Sequence, residues 1–346
     1  MLNEKTILIT GGTGSLGKQL TRTILAKYQP KKLIIFSRDE VKQFEMAQEW
    51  NEKTHPCMRY FLGDVRDKER LIHAFQGVDY VIHAAALKQV PAAEYNPAEF
   101  VRTNIIGAMN VIDAALSTDV RRVVALSTDK ACNPVNLYGA TKLCSDKLFV
   151  AANGIYHAQD KRFAVVRYGN VAGSRGSVIP FFRKQIAHGA LSITDRRMTR
   201  FLITLNQAAS FVLQSIERTL GGEIFIPKIP SIRIVDLAMA MAPDCEHTCV
   251  GIRPGEKIHE LMIGRDDSRN TLALEDRYVL LPQRYFEERR HAHNGAQLCV
   301  PDFEYHSGTN PRFLTVEEIR SLLPEIEGEH TTLPIENCLV RERVTI

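Results

Sequence analysis

The sequence predicts an α/β fold: a doubly wound, mostly parallel sheet followed by a smaller C-terminal region that would bind a substrate. Three observations predict it. Short apolar runs alternate with longer amphipathic stretches between residues 6 and 168, the pattern of βαβ units. A glycine-rich turn joins the first apolar run to the first amphipathic stretch. Beyond Gly169 the alternation loosens into shorter helices and loops rich in Gly, Pro and Arg.

Taken in order, the apolar runs place strands at 6–10, 33–36, 58–62, 80–84, 123–126 and 163–168. Between them, apolar residues at helical spacing place helices at 16–27, 41–51, 68–75, 104–116 and 138–152. Together they make a Rossmann-like sheet. One later helix is well marked. Thr204 and Gln207 form a capping box, Phe211, Val212, Ile216 and Leu220 an apolar stripe, and Gly221-Gly222 a stop. The reading divides the chain into a dinucleotide-binding domain over 1–168, a mainly substrate-binding region over 169–325 from which the chain can recross to the sheet, and a polar, acidic tail over 326–346.

Composition narrows the function class. The chain has 346 residues, 45% hydrophobic and 24% charged, with a net charge of +4. That is ordinary for a globular protein and excludes a largely disordered one. The basic residues are dispersed, which argues against a nucleic-acid footprint. No apolar run approaches bilayer-spanning length and the N-terminus carries no signal-like segment, so a cytoplasmic protein is expected. Seven scattered cysteines form no disulfide framework. The Cys245-Glu-His-Thr-Cys249 tract lacks a second pair to complete a zinc site, so no metal is expected.

Thr10-Gly11-Gly12-Thr13-Gly14-Ser15-Leu16-Gly17 follows the first strand and opens the first helix. Glycines at 11, 14 and 17 permit a tight turn and close backbone approach, and the helix N-terminus offers free N–H groups to a diphosphate. At the end of the second strand, Ser37 and Arg38 stand where an NAD site would carry an acid. With Lys42 one turn on, they suit a ribose 2′-phosphate and predict NADP. Asp39 either lies in that site or caps the next helix. Asp64 and Val65 after the third strand, and Ala84-Ala85-Ala86 after the fourth, extend the predicted path of the cofactor.

The stretch from Ser127 to Lys142 is the densest in chemistry. Tyr138 and Lys142 are four apart and share a helix face, where the ammonium is expected to draw the phenol pKa toward neutrality. Such a pair accepts a proton from an alcohol. Asp129 and Lys130 add an acid and a base that simple alcohol oxidation does not need.

The glycine turn together with Tyr138-Gly-Ala-Thr-Lys142 resembles the extended short-chain dehydrogenase/reductase family over nearly the whole chain. Within it, the segments 127–134, 167–171, 173–180 and 251–256 are similar to the branch of dehydratases that removes water from UDP-N-acetylglucosamine with inversion at C5, in pseudaminic acid and flagellin-glycan synthesis. The resemblance implies these roles. Tyr138, supported by Lys142, takes the O4 proton while C4 gives hydride to NADP⁺, with Thr128 as a second hydrogen-bonding group to O4. Lys130 as a neutral amine removes the C5 hydrogen, and protonated Asp129 donates to the leaving C6 hydroxyl.

Lys88 and Asn104 would meet the cofactor, and Lys88 also the sugar. Asn170, Ser174, Arg175, Val178, Ile179, Arg253 and Glu256 would hold the uridine diphosphate. Arg196, Arg197 and Arg200 read equally as a solvated basic face or as phosphate ligands. A homo-oligomer, paired through the helices at 104–116 and 138–152, is expected. The rivals are a nucleotide-sugar 4-epimerase, a retaining dehydratase and a non-catalytic NADP-sensing module.

Overall fold

A computed structural model describes residues 1–155, 161–174 and 176–328. Strands β1 (Thr6–Thr10), β2 (Lys32–Ser37), β3 (Met58–Leu62), β4 (Tyr80–His83), β5 (Arg122–Leu126) and β6 (Arg162–Val166) lie parallel in the order β3-β2-β1-β4-β5-β6. β1, β2, β5 and β6 are buried almost end to end. Strands covered on both faces have no polar side to alternate with, which is why they read as continuous apolar runs.

The sheet is larger than six strands. Ile224–Pro227 adds a parallel strand beside β6, and Arg277–Leu280, Thr271–Ala273 and Gln297–Leu298 continue it antiparallel to a total of ten. The chain thus returns to the first sheet after leaving it at β6. The helix with the capping box, Leu205–Arg218, also belongs there: it packs on α1 (Ser15–Lys27) and against β5 and β6. A second core, which includes Ile179, Phe182, Leu191, Leu202, Leu237 and Ile319, is built entirely from residues that follow β6.

The crossover helices are α2 (Glu40–Glu49) and α3 (Lys68–Ala74), followed by the short α4 (Val90–Tyr95) and α5 (Pro97–Phe100), then α6 (Gly107–Leu116) and α7 (Leu137–Ile155). The helix expected from residue 104 differs from this. A π-helical turn over Val101–Ile106 precedes α6 and continues α5 into it. Such turns add a residue to the helical register and commonly re-aim side chains at functional sites. The expected tail overlaps the helix Val316–Gly328, and residues 329–346 lie outside the described residues. Among the described residues, no helix is long and apolar enough to cross a membrane.

Candidate active site

The site begins with the turn after β1. Gly11 has φ +65°, and a Cβ there would lie 2.8 Å from the backbone N and Cα of Ala85. Backbone therefore packs on backbone, which accounts for the small residues Ala84 to Ala86. Gly14 is the N-cap of α1 and makes no side-chain cap, leaving the first-turn N–H groups to face a cleft of about 620 Å³. A glycine cradle at a helix N-terminus suits an anionic diphosphate.

Every predicted cofactor residue except Asn104 lines that cleft. Asn104 is buried behind its wall, with Nδ2 donating to Leu87 O and Thr141 Oγ1 and Oδ1 accepting from Leu87 N. Its amide is fully used in positioning the wall. At the other end, Asp39 caps α2 by accepting from Lys42 N at 3.0 Å and also pairs with the Lys42 ammonium. These two bonds hold its carboxyl below the usual range. Arg38 is more than half exposed and lies 3.7 Å from Asp64. Ser37 accepts from Gln43 Nε2 at 3.0 Å.

Tyr138 and Lys142 enter the cleft from α7, both buried. The helix can come close because residue 139 is glycine: a Cβ there would lie 2.2 Å from Lys130 O. α7 is thereby seated against the single 3₁₀ turn Asp129–Ala131 that follows β5. The expected drop of the Tyr138 pKa toward neutrality does not occur in the protein alone. Burial pushes the phenol up to about 12, against the opposing charge of Lys130 and a hydrogen bond with Thr128. Burial lowers the Lys142 pKa, with Asp146, one turn on, acting the other way.

Asp146 is itself part of a buried network behind the site. It accepts from Ser127 Oγ at 2.7 Å and from Arg167, whose guanidinium also donates to Met262 O at 2.9 Å. His83, under Lys142, shares a 2.8 Å hydrogen bond with Thr10 Oγ1, and burial pushes its pKa down to about 3.

Lys130 Nζ lies 3.0 Å from Asp129 Oδ1 and 3.2 Å from Glu260 Oε1. Both carboxylates are at most 2% exposed. The expectation of a neutral Lys130 amine is therefore corrected for the protein alone: the two carboxylates outweigh burial and raise its pKa. Burial and the charge of Glu260 raise the Asp129 pKa, in keeping with an acid that can hold a proton. Thr128 Oγ1 donates to Asp129 Oδ1 at 2.9 Å.

A second cavity of about 470 Å³ adjoins the cleft, and Lys88, Lys130 and Asn170 line both. Val178, Arg253 and Glu256 line the second, with the Arg253 guanidinium 5.8 Å from the centre of the Phe181 ring. Ser174 lines the first only. Ile179 lines neither, being buried in the second core, and Arg175 lies outside the described residues. The arginines at 196, 197 and 200 separate: Arg196 is exposed, Arg197 pairs with Asp195, and Arg200 is buried in the cavity wall. Glu260 carried no sequence signal, since it joins Lys130 only through the fold.

A glycine turn on a parallel sheet, with a Tyr-x-x-x-Lys helix crossing its cleft, defines a short-chain dehydrogenase/reductase of the extended type. The model of the polysaccharide biosynthesis protein family matches residues 7–282, and the chain belongs to that family. It is 56% identical over 336 residues to the inverting UDP-N-acetylglucosamine 4,6-dehydratase of Campylobacter jejuni serotype O:2, covering 95% of this chain and 100% of that protein. It is 39% identical over 334 residues to the UDP-glucose 4-epimerase of Rickettsia canadensis, covering 93% and 96%. Among solved structures, Pen from Bacillus thuringiensis superposes with a TM-score of 0.87 at 36% identity, covering 94% of this chain and 99% of that one.

Proposed function

We propose that the protein is an NADP-dependent 4,6-dehydratase of UDP-N-acetylglucosamine that inverts C5, a cytoplasmic enzyme whose product enters surface-glycan synthesis such as that of pseudaminic acid. The observation that carries this reading is the Asp129–Lys130 contact of 3.0 Å in the same cleft as Tyr138. An oxidation site and an acid–base pair side by side supply both halves of an internal redox elimination.

Residues 1–168 would hold the cofactor and 169–325 mainly the sugar nucleotide. The glycine turn, Ser37, Arg38 and Lys42 would hold NADP, which supplies a hydride acceptor for C4 and returns the hydride at C6. Tyr138, on ionising, takes the proton of O4. Its high pKa in the protein alone means that Lys142 does not suffice, and an added cation in the cleft favours the phenolate. Oxidation at C4 acidifies the C5 hydrogen.

The Lys130–Asp129 ion pair can pass one proton across its 3.0 Å contact. The result is a neutral amine that accepts the C5 proton and a carboxyl that protonates the departing C6 hydroxyl, so that water leaves with its atoms balanced. A proton from solvent then returns to C5 on the face opposite Lys130, which gives the inverted product. Arg253 and Asn170 would hold the diphosphate, with Lys88 near the sugar.

The exposed side chains of Val101, Ile106 and Met109 beside α6 favour pairing of two copies there, as a dimer or a larger assembly. The named epimerase relatives favour a second reading, 4-epimerisation without loss of water. Incubation with UDP-N-acetylglucosamine in deuterated water, followed by NMR, separates the two. A 6-methyl signal with deuterium at C5 and inverted C5 couplings is expected, and a C4 epimer without a methyl signal would overturn the proposal.

A further inference from the structure

Glu260 is a charged group touching the acid–base pair that the elimination as written does not use. Its residue is 2% exposed, its Oε1 is 3.2 Å from Lys130 Nζ, and its Oε2 has no hydrogen-bond partner while the side chain lines the sugar-side cavity. The backbone is anchored, with Glu260 N donating to Ser307 Oγ and Ser307 N donating to Glu260 O, both at 2.8 Å. Arg200 Nε lies 3.7 Å from Oε1. The guanidinium is fixed by donation to the carbonyls of Thr199, Lys257 and Ile258.

Two buried carboxylates thus meet one ammonium, and they differ in the neighbours on their far sides. Glu260 has a second, immobile cation at its back. Asp129 has a neutral hydroxyl, Thr128, in that place. Like charges in one site cannot both ionise freely, so the carboxylate with the extra cation stays charged and the other takes the proton.

We propose that Glu260 is a positioning residue for the elimination: held ionised by Arg200, it makes Asp129 the carboxyl that carries the proton and keeps the Lys130 amine aimed between them. The role rests on the dehydratase reading. The groups around Asp129 pull in opposite directions, and burial together with Glu260 tips the balance toward the protonated form. Glu260 favours its protonation and Lys130 opposes it, while Arg200, Lys257 and Lys130 favour an ionised Glu260. Tyr138 and Lys88 complete the set facing the pair.

The test is Glu260→Gln, with Glu260→Asp as the variant that retains the charge. Reduction of bound NADP by UDP-N-acetylglucosamine reports oxidation at C4, and deuterium entry at C5 is followed against pH. In Glu260→Gln the oxidation is expected to persist, which also reports an intact fold. Asp129, relieved of a neighbouring negative charge, ionises at lower pH, so the alkaline limb of the C5 exchange profile moves down by about one unit. At the pH where the wild type is half-maximal, the variant is then about fivefold slower. Glu260→Asp returns the limb toward its wild-type position. A Glu260→Gln profile that stays in place, or one lowered uniformly in both variants, overturns the role of Glu260 alone. Wild-type protein that shows no exchange at C5 overturns the dehydratase reading and this role with it.

Discussion

Asn104 donates from Nδ2 to the Thr141 hydroxyl at 3.0 Å, joining the π-helical turn before α6 to the middle of the Tyr138–Lys142 segment. The same amide brackets Leu87 with a pair of 2.9 Å bonds, so one buried side chain fixes the wall of the cleft and the helix facing it. In Asn104→Ala three partner groups lose their bond, the two of Leu87 part-buried and the Thr141 hydroxyl buried. The expected cost is roughly 3 kcal/mol of stability, read as a lower urea midpoint at unchanged slope, together with weaker NADP binding.

Tyr138→Phe keeps the ring that packs with Ala93 and Phe100 and removes only the hydroxyl. Cofactor binding, followed by titration, is expected to stay near wild type. The rate of oxidation at C4 is expected to fall by roughly 10² to 10⁴. A variant still oxidising at the wild-type rate would remove Tyr138 from its role.

The cofactor preference is expected to rest on Arg38, which faces the cleft from the end of β2 with only a loose contact to Asp64. Arg38→Ala should weaken NADP by roughly tenfold or more, the worth of one charge-assisted bond to phosphate, while NAD binding changes little. Equal losses for both nucleotides would show that Arg38 does not read the 2′-phosphate.

Acid should loosen the sheet through His83. Its folded pKa of about 3 lies below the ordinary histidine value of 6.5, so the unfolded chain binds the extra proton between them. The stability due to neutral burial is complete above about 6.5 and is lost as pH falls toward 3. The loss approaches about 1.4 kcal/mol per pH unit well inside that window. His83→Asn, which retains a side chain able to hydrogen-bond Thr10, should flatten the acid dependence of the urea midpoint by up to that slope.

Much of the sheet was legible because most of its strands are buried on both faces, and the half-buried edge strand β3 is itself an apolar run; β1 and β3 fall on the expected residues and the others end within two of them. The strand Ile224–Pro227 was not read, being four residues long and following a region where alternation had ceased. The π-helical turn escaped because apolar residues on either side keep a helical spacing through it. In the site, what lies in contiguous motifs was legible: the glycine turn, Asp129-Lys130, Tyr138 and Lys142. Glu260 was not, and Arg200 was read only as a solvated face or a phosphate ligand, since segments distant in the chain bring both to Lys130. Charge states were the least legible part. Proximity of Lys142 to Tyr138 follows from helical spacing, but the burial that outweighs it is a property of the whole fold.

The close seat of Gly139 on the Lys130 carbonyl has a kinetic meaning. The helix carrying Tyr138 and the turn carrying Lys130 pack backbone on backbone, with no room for a side chain between them. A sugar ring oxidised at C4 must therefore present C5 and C6 by pivoting within a fixed frame, anchored through its nucleotide. Commitment to the second step is then set by how long that anchor lasts, and a loosened diphosphate grip should leak a half-processed ketone instead of slowing its formation.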